Sequence, residues 1–205
     1  MPDELKYSLG RIKIELNLHS WHMHCVALVL KVTEFIEVEQ NIRRQLTLFV
    51  DESDAETIEQ IRQEFNPVQS GFIKCHVTLC REDELVHLDQ VISNLIRMTD
   101  IELAIEFGKV IRLDNGKGLI LPVIKGAEEF QELRKQVLHG VVDTPRFQEP
   151  HITLMHSRNS TCTDSIFERI KKIPLPRKIS FKKISLIEQV NGGSWKILRE
   201  FDLEK

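Results

Sequence analysis

Phe72-Ile73-Lys74-Cys75-His76-Val77-Thr78-Leu79-Cys80 and Pro150-His151-Ile152-Thr153-Leu154-Met155 carry the same phrase, His-aliphatic-Thr-Leu. Both read as strands, in which side chains alternate between two faces. His76 and Thr78 therefore share one face, with Cys75, Val77 and Leu79 on the other. In the second copy His151 and Thr153 lie opposite Ile152 and Leu154. One face is apolar and suits a core; the other presents an imidazole beside a hydroxyl. At ordinary residue usage, on the order of one His in a thousand begins such a phrase. The chain holds only eight His, so two copies point to a shared site rather than to two unrelated half-buried strands.

The segments around these strands supply the rest of a fold. Arg44 to Val50 reads as a strand. A helix from about Asp54 to Phe65 follows, with Ser53 and Glu56 spaced as a capping box and Asn66-Pro67 as its end. Leu85 to Met98 is a second helix with Leu88, Val91, Ile92, Leu95 and Ile96 on one stripe. Ile101 to Leu113 and Leu119 to Ile124 form a hairpin through Asp114-Asn115-Gly116-Lys117-Gly118. Ala127 to Leu138 is helical, with Gly140 as C-cap. A helix from Thr163 to Ile173 precedes a last hairpin, Ile179 to Gln189 and Ser194 to Leu203, turning at Asn191-Gly192-Gly193. Strands and helices joined by hairpins indicate an α+β fold rather than a parallel doubly wound sheet.

The chain has 205 residues, 41% of them hydrophobic and 29% charged, enough for one well-buried domain or two small lobes sharing a cleft. Its net charge of −3 is unevenly placed: Arg169 to Arg199 holds nine Lys or Arg against one acid, Glu188. Such a run is a solvated face or a field that draws an anionic substrate; the second reading is the one we carry forward. The four Cys (Cys25, Cys75, Cys80, Cys162) form no CxxC pair. They read as free thiols of a reducing cytoplasm. Asp3 and Glu4 at the amino terminus do not match a signal peptide, and Met23 to Leu30 is too short to span a bilayer. No membrane partner is expected. There is no GxGxxG or Walker loop, hence no expected cofactor.

Residues 1–42 are read as an extension, and residues 43–205 as the domain. The extension contains His19-Ser20-Trp21-His22-Met23-His24, a spacing that could hold a transition metal, although only Cys25 stands nearby as a further ligand. Cys25 to Val38 is apolar enough for an added strand or helix.

The paired motifs resemble those of the two-histidine (2H) phosphoesterases, which include 2′-5′ RNA ligase-like proteins and 2′,3′-cyclic phosphodiesterases. The resemblance runs from about Arg44 to Lys205. It implies two pseudo-symmetric lobes of antiparallel sheet with outer helices around a central cleft. It also implies catalysis by His76 and His151, with Thr78 and Thr153 on the phosphate. Relatives often place an Arg five positions after the motif His. Arg81 stands there in the first copy, and His156 in the second, with Arg158 two further on. In a regular strand His156 falls on the face opposite His151 and reads as structural. Cys75 replaces the proline that often precedes the first motif His, whereas Pro150 keeps it.

The chemistry suits the residues. Histidine can act as base toward water and as acid toward a leaving oxygen near neutral pH. Threonine hydroxyls can donate to phosphate oxygens. The expected activity is metal-independent hydrolysis of 2′,3′-cyclic phosphate ends of RNA or of small cyclic nucleotides, with ligation to a 2′-5′ linkage as its reverse. The alternative is a nucleotide or RNA-end binding module without turnover. A two-histidine metal site is a third reading, but no third ligand accompanies the motifs, and Thr is a poor zinc ligand. Trp195, Phe107, Phe147 and Phe72 are the candidates for a base-stacking wall.

Overall fold

Two antiparallel sheets carry one motif strand each. The computed structural model describes residues 40–113 and 116–204. The His19–His24 tract, Cys25 to Val38, and Asp114-Asn115 lie outside the described residues. The elements run β1 (Ile42–Phe49), α1 (Glu52–Phe65), α2 (Pro67–Phe72), β2 (His76–Cys80), α3 (Leu88–Arg97), β3 (Leu103–Phe107), β4 (Ile111–Leu113) and β5 (Gly118–Lys125). They continue with α4 (Ala127–Val137), β6 (His151–Met155), α5 (Asp164–Ile170), β7 (Lys178–Phe181), β8 (Lys183–Val190) and β9 (Lys196–Asp202). Short 3-10 turns, Glu82–Glu84 and Ser157–Asn159, follow the two motif strands. The fold is α+β, as the sequence indicates.

The first sheet has the order β2-β1-β8-β9. In the second, β5 pairs with β6 on one side and with β3 and β4 on the other, and β3 pairs with β7. The pairings Ile111↔Ile120 and Glu106↔Lys125 lie in one register, so β3 and β4 occupy a single flank of β5. Each sheet thus ends in its motif strand, and the chain passes β1–α1–β2 in one lobe and β5–α4–β6 in the other. That is the pseudo-symmetry the resemblance implies.

Both motif strands show the same burial, with His and Thr half-buried and the residues between them fully buried. The apolar faces join one core with Leu46, Leu48, Ile58, Leu121, Phe130 and Leu186. Gly126 opens α4 at φ 89°, and a Cβ there would meet the Ala104 carbonyl oxygen at 2.5 Å. Only glycine allows this approach of helix to strand.

Several boundaries differ from the sequence reading. Phe72 does not begin the first motif strand: Pro67 starts a second helix, its missing N–H costing nothing in the first turn. The first helix begins at Glu52 with Asp51 as N-cap, not at the Ser53 capping box. The Asp51 carbonyl accepts from Asp54 and Ala55 N–H. Ile96 is half-exposed rather than on the buried stripe of α3. Helix α4 is capped by Leu138, two residues before Gly140. The largest difference is at Lys182, where Ile179 to Gln189 divides: β7 joins the second sheet and β8 the first. This apolar run crosses between lobes and ties them together.

Candidate active site

The two motif strands meet across a cleft of about 950 Å³ whose walls include His76, Thr78, His151 and Thr153. Register sets this arrangement. Phe49 pairs with His76 and Thr47 with Thr78; across the molecule Pro122 pairs with His151 and Ile120 with Thr153. The His and Thr of each copy therefore project two residues apart toward the same space.

Both imidazoles are oriented by the same bond. His76 Nδ1 lies 2.7 Å from the Lys74 carbonyl oxygen, and His151 Nδ1 lies 3.0 Å from that of Glu149. A carbonyl only accepts, so each Nδ1 carries the proton and each Nε2 is the ring nitrogen left for chemistry in the cleft. Burial pushes the His76 imidazole down to about 4; the Lys74 carbonyl opposes this, and the charges of Arg62 and His151 add to it. His76 is therefore neutral at pH 7. Phe49 packs edge-on against its ring at 6.0 Å.

Because β2 and β6 are edge strands, their outer carbonyls have no ladder partner. Arginines from the opposite lobe supply one. Arg62 of α1, 1% exposed, donates to the Thr153 carbonyl at 2.6 Å and also to that of Ile73, while its Nε reaches Glu59 at 3.2 Å. Arg134 of α4, fully buried, donates to the Leu79 carbonyl and reaches Glu84 at 2.6 Å. The exchange is reciprocal: the first lobe's helix holds the second motif strand, and the second lobe's helix holds the first. Gln148 adds a 3.3 Å bond to the Thr78 carbonyl, and Asn66 holds the other turn through His156 N–H and the Asn159 carbonyl.

The sequence reading passed over these arginines although it contains their signal. Ile58-x-x-Ile61-Arg62-x-x-Phe65 and Phe130-x-x-Leu133-Arg134-x-x-Val137 are one pattern, and in both all four named positions are buried. A cation set inside an apolar stripe at helical spacing marks a buried polar task.

Around the histidines the cleft is cationic. Arg43 pairs with Glu82 at 2.6 Å, and Arg146 holds Asp83 through two bonds of 2.8 and 2.9 Å. These Arg146 bonds keep the Asp83 carboxyl below the usual carboxylate range. Arg81 and Arg158 also line the cleft, and neither forms an ion pair with a described carboxylate. They stand after β2 and after β6, where the charge of Arg81 helps to lower the Asp83 carboxyl and the Arg158 guanidinium lies 3.5 Å from His156 Nε2.

Two sequence expectations need correction here. His156 lines the cleft rather than the opposite face, because β6 ends at Met155 and His156 caps the 3-10 turn, accepting from Arg158 N–H at 3.2 Å. The basic run Arg169 to Arg199 contributes none of its nine cations to the cleft wall; the local charge comes from Arg43, Arg62, Arg81, Arg146 and Arg158. Of the four aromatic candidates, Phe72 and Trp195 line the cleft. Phe107 is core, and Phe147, 72% exposed, stands outside.

Cys75, Cys80 and Cys162 are free thiols. Burial pushes Cys75 and Cys80 up to about 12, so both stay protonated and are poor nucleophiles. Among the described residues no group of three His, Cys, Asp or Glu is arranged to hold a metal ion. No helix among them is long and apolar enough to cross a membrane.

The family model of the 2′-5′ RNA ligase superfamily matches residues 49–193. Solved structures of similar shape include E. coli LigT in its apo form, 14% identical with a TM-score of 0.55, covering 80% of this chain and 98% of LigT. LigT complexed with 3′-AMP is 15% identical at the same coverage and TM-score. A crystal structure of a phosphoesterase gives 15% identity, the same coverage and a TM-score of 0.54. At such identities the likeness is one of fold. No curated protein matches the sequence.

Proposed function

The chain belongs to the 2′-5′ RNA ligase superfamily of two-histidine phosphoesterases, and on that premise we propose that it hydrolyses 2′,3′-cyclic phosphates at RNA ends or on small nucleotides without a metal. One observation carries the proposal. Two His-x-Thr strands line a single cleft, and each imidazole has its Nδ1 tied to the carbonyl two residues before it.

In the proposed reaction His76 is the base. Burial keeps it neutral, so its Nε2 takes a proton from water as the water oxygen attacks phosphorus. The bond from phosphorus to the leaving ribose oxygen breaks, and His151, entering protonated, gives that oxygen its proton. The products are a phosphate monoester and a free ribose hydroxyl. Thr78 and Thr153 donate hydrogen bonds to the non-bridging oxygens, and Arg81 and Arg158 balance their charge. With a 5′-hydroxyl replacing water, the same transfers join two ends through a 2′-5′ linkage.

We assign this machinery to residues 43–205 together with the adjoining Asn41, which lines the cleft, and Ile42, which opens β1. The protonated buried thiols suit a reducing compartment, and we place the protein in the cytoplasm. The test is incubation of the full chain with adenosine 2′,3′-cyclic phosphate, and with a short RNA ending in a cyclic phosphate, in EDTA. Phosphorus NMR then separates 2′- from 3′-monoester. Turnover to one monoester supports the reading; tight binding without turnover would instead make the cleft a binding module.

A further inference from the structure

We infer that Glu59 of α1 is a positioning residue of the cleft: with Arg62 it clamps the backbone on either side of the carbonyl that orients His76, and its charge sets this histidine apart from His151. This rests on the phosphoesterase reading and adds to it a residue that acts through others, since Glu59 stands outside the cleft wall.

Three successive residues are held. Arg62 Nη2 donates to the Ile73 carbonyl at 2.5 Å, His76 Nδ1 donates to that of Lys74 at 2.7 Å, and Cys75 N–H donates to Glu59 Oε1. The other carboxylate oxygen of Glu59 accepts from Arg62 Nε at 3.2 Å and from Ser70 Oγ at 3.5 Å. Arg62 gives its remaining nitrogen to the Thr153 carbonyl of the second motif strand. The Lys74 carbonyl therefore turns only if bonds to α1 break. Holding it matters, because a reacting group misplaced by about 1 Å can cost about a hundredfold in rate.

The second lobe has the same device without the charge. Glu59-x-x-Arg62 on α1 corresponds to Gln131-x-x-Arg134 on α4. Gln131 Nε2 donates to the Gln148 carbonyl at 2.5 Å, and its Oε1 accepts from Gln148 N–H at 3.5 Å. Gln148 adjoins Glu149, whose carbonyl orients His151. The residue before each histidine accounts for the difference. Pro150 has no N–H to offer, whereas Cys75 has one and Glu59 takes it.

The carboxylate also acts on the ring beyond that carbonyl. Burial is the chief reason the His76 imidazole is pushed down to about 4, with the Lys74 carbonyl opposing. The charges of Arg62 on α1 and His151 on β6 push the same way as burial, and Glu59 opposes them. From β1 the ring meets Phe49, which carries no charge. Glu59 thus offsets the cation it holds, and keeps His76 a stronger base than Arg62 alone would leave it.

Two variants of the full chain separate the acceptor from the charge. Glu59→Gln keeps an oxygen for Cys75 N–H and copies the second lobe; Glu59→Ala removes both. Titration of His76 by nuclear magnetic resonance reads the charge without need of turnover. In Glu59→Gln the ring should titrate lower than in the unaltered chain, because Arg62 is left uncompensated. Mere loosening would admit water and move it the other way, toward about 6.5. On adenosine 2′,3′-cyclic phosphate, Glu59→Ala should lower kcat about ten- to a hundredfold with KM little changed, and Glu59→Gln should recover most of that loss. Gln131→Ala should lower kcat in the same way and leave the His76 titration where it is. An unmoved or raised His76 titration in Glu59→Gln overturns the inference, and this reading stands even if Glu59→Ala does not fold. Full kcat in Glu59→Ala, or a loss confined to KM, also overturns it. If the unaltered chain turns over no cyclic phosphate the phosphoesterase reading falls, and the titration still decides whether Glu59 governs His76.

Discussion

Strands β2 and β6 are alike where they face the cleft and unlike where they are braced. In each, a His holds its Nδ1 on a carbonyl two residues back, and a Thr follows on the same face. Behind them each takes a buried arginine of the other lobe on an edge carbonyl, and the resemblance stops at the turns that follow. The turn after β2 is fixed by charge: Glu84 against Arg134 in the interior, and Asp83 against Arg146 at the surface. The turn after β6 is fixed by the neutral amide of Asn66, which serves His156 and Asn159. The two strands keep in common what a phosphate between them would feel and the arginine on an edge carbonyl. What lies behind is free to differ, provided every edge carbonyl finds a donor.

The comparison is tested most severely at the histidines. His76→Gln and His151→Gln should each lower turnover about 10²- to 10⁴-fold, the usual worth of a general acid or base. Both variants should keep the unaltered far-ultraviolet circular dichroism, since both rings stand in the cleft wall. A variant retaining near-full rate would show that only one strand carries the chemistry.

Next come the braces. Arg134→Met takes from buried Glu84 its nearer cation, leaving only Arg146 at 3.5 Å, and should cost about 3–5 kcal/mol in urea unfolding. Asn66→Ala should cost about 1–3 kcal/mol, the loss expected when neutral buried groups go unsatisfied. Combining Arg134→Met with Glu84→Leu should restore most of the first loss. Equal costs at Arg134 and Asn66 would erase the distinction between a charged and a neutral brace.

The hydroxyls and the two arginines after the motif strands should follow. Thr78→Ala and Thr153→Ala should each reduce kcat by about 10²-fold, by analogy with loss of one preorganised donor. Arg81→Ala and Arg158→Ala should act mainly on KM, by about tenfold, for the loss of one charge-assisted contact of about 1.4 kcal/mol. A large effect on one side alone would mean that the phosphate sits against one strand.

The pH dependence sharpens the account of His76. Its imidazole is neutral until about pH 4, so the acid limb of kcat/KM should lie near pH 4 rather than near 6.5. Stability should respond as well. Between about 6.5 and 4 the unfolded chain binds a proton at this position that the folded chain refuses, so stability is lost as the pH is lowered through that window. His76→Gln should remove that part of the slope. An acid limb at the ordinary histidine value, with the slope unchanged in the variant, would place His76 in a solvated setting.

Much of this was legible in the residues. The alternation around His76 and His151 foretold strands with one chemical face, and Asn191-Gly192 foretold the last hairpin. Other features depend on contacts between distant segments. The alternation of Ile179 and Phe181 slips by one residue at Lys182-Lys183 before Ile184 and Leu186, but only the pairing of Ile179 with Ile105 and of Ile187 with Gln45 shows that the chain changes sheets there. His156 reads as the far face of a strand until the strand is seen to stop at Met155. Arg62 and Arg134 were visible as cations in apolar stripes, but the carbonyls they serve belong to the other lobe.

The central claim is that the two strands form one acid–base pair, and single-turnover rates on adenosine 2′,3′-cyclic phosphate test it most directly. They are compared among the unaltered chain, His76→Gln, His151→Gln and the double variant. Groups acting as a unit are non-additive, so the double variant should be little slower than either single one. Losses that multiply would contradict the claim and show two histidines working independently.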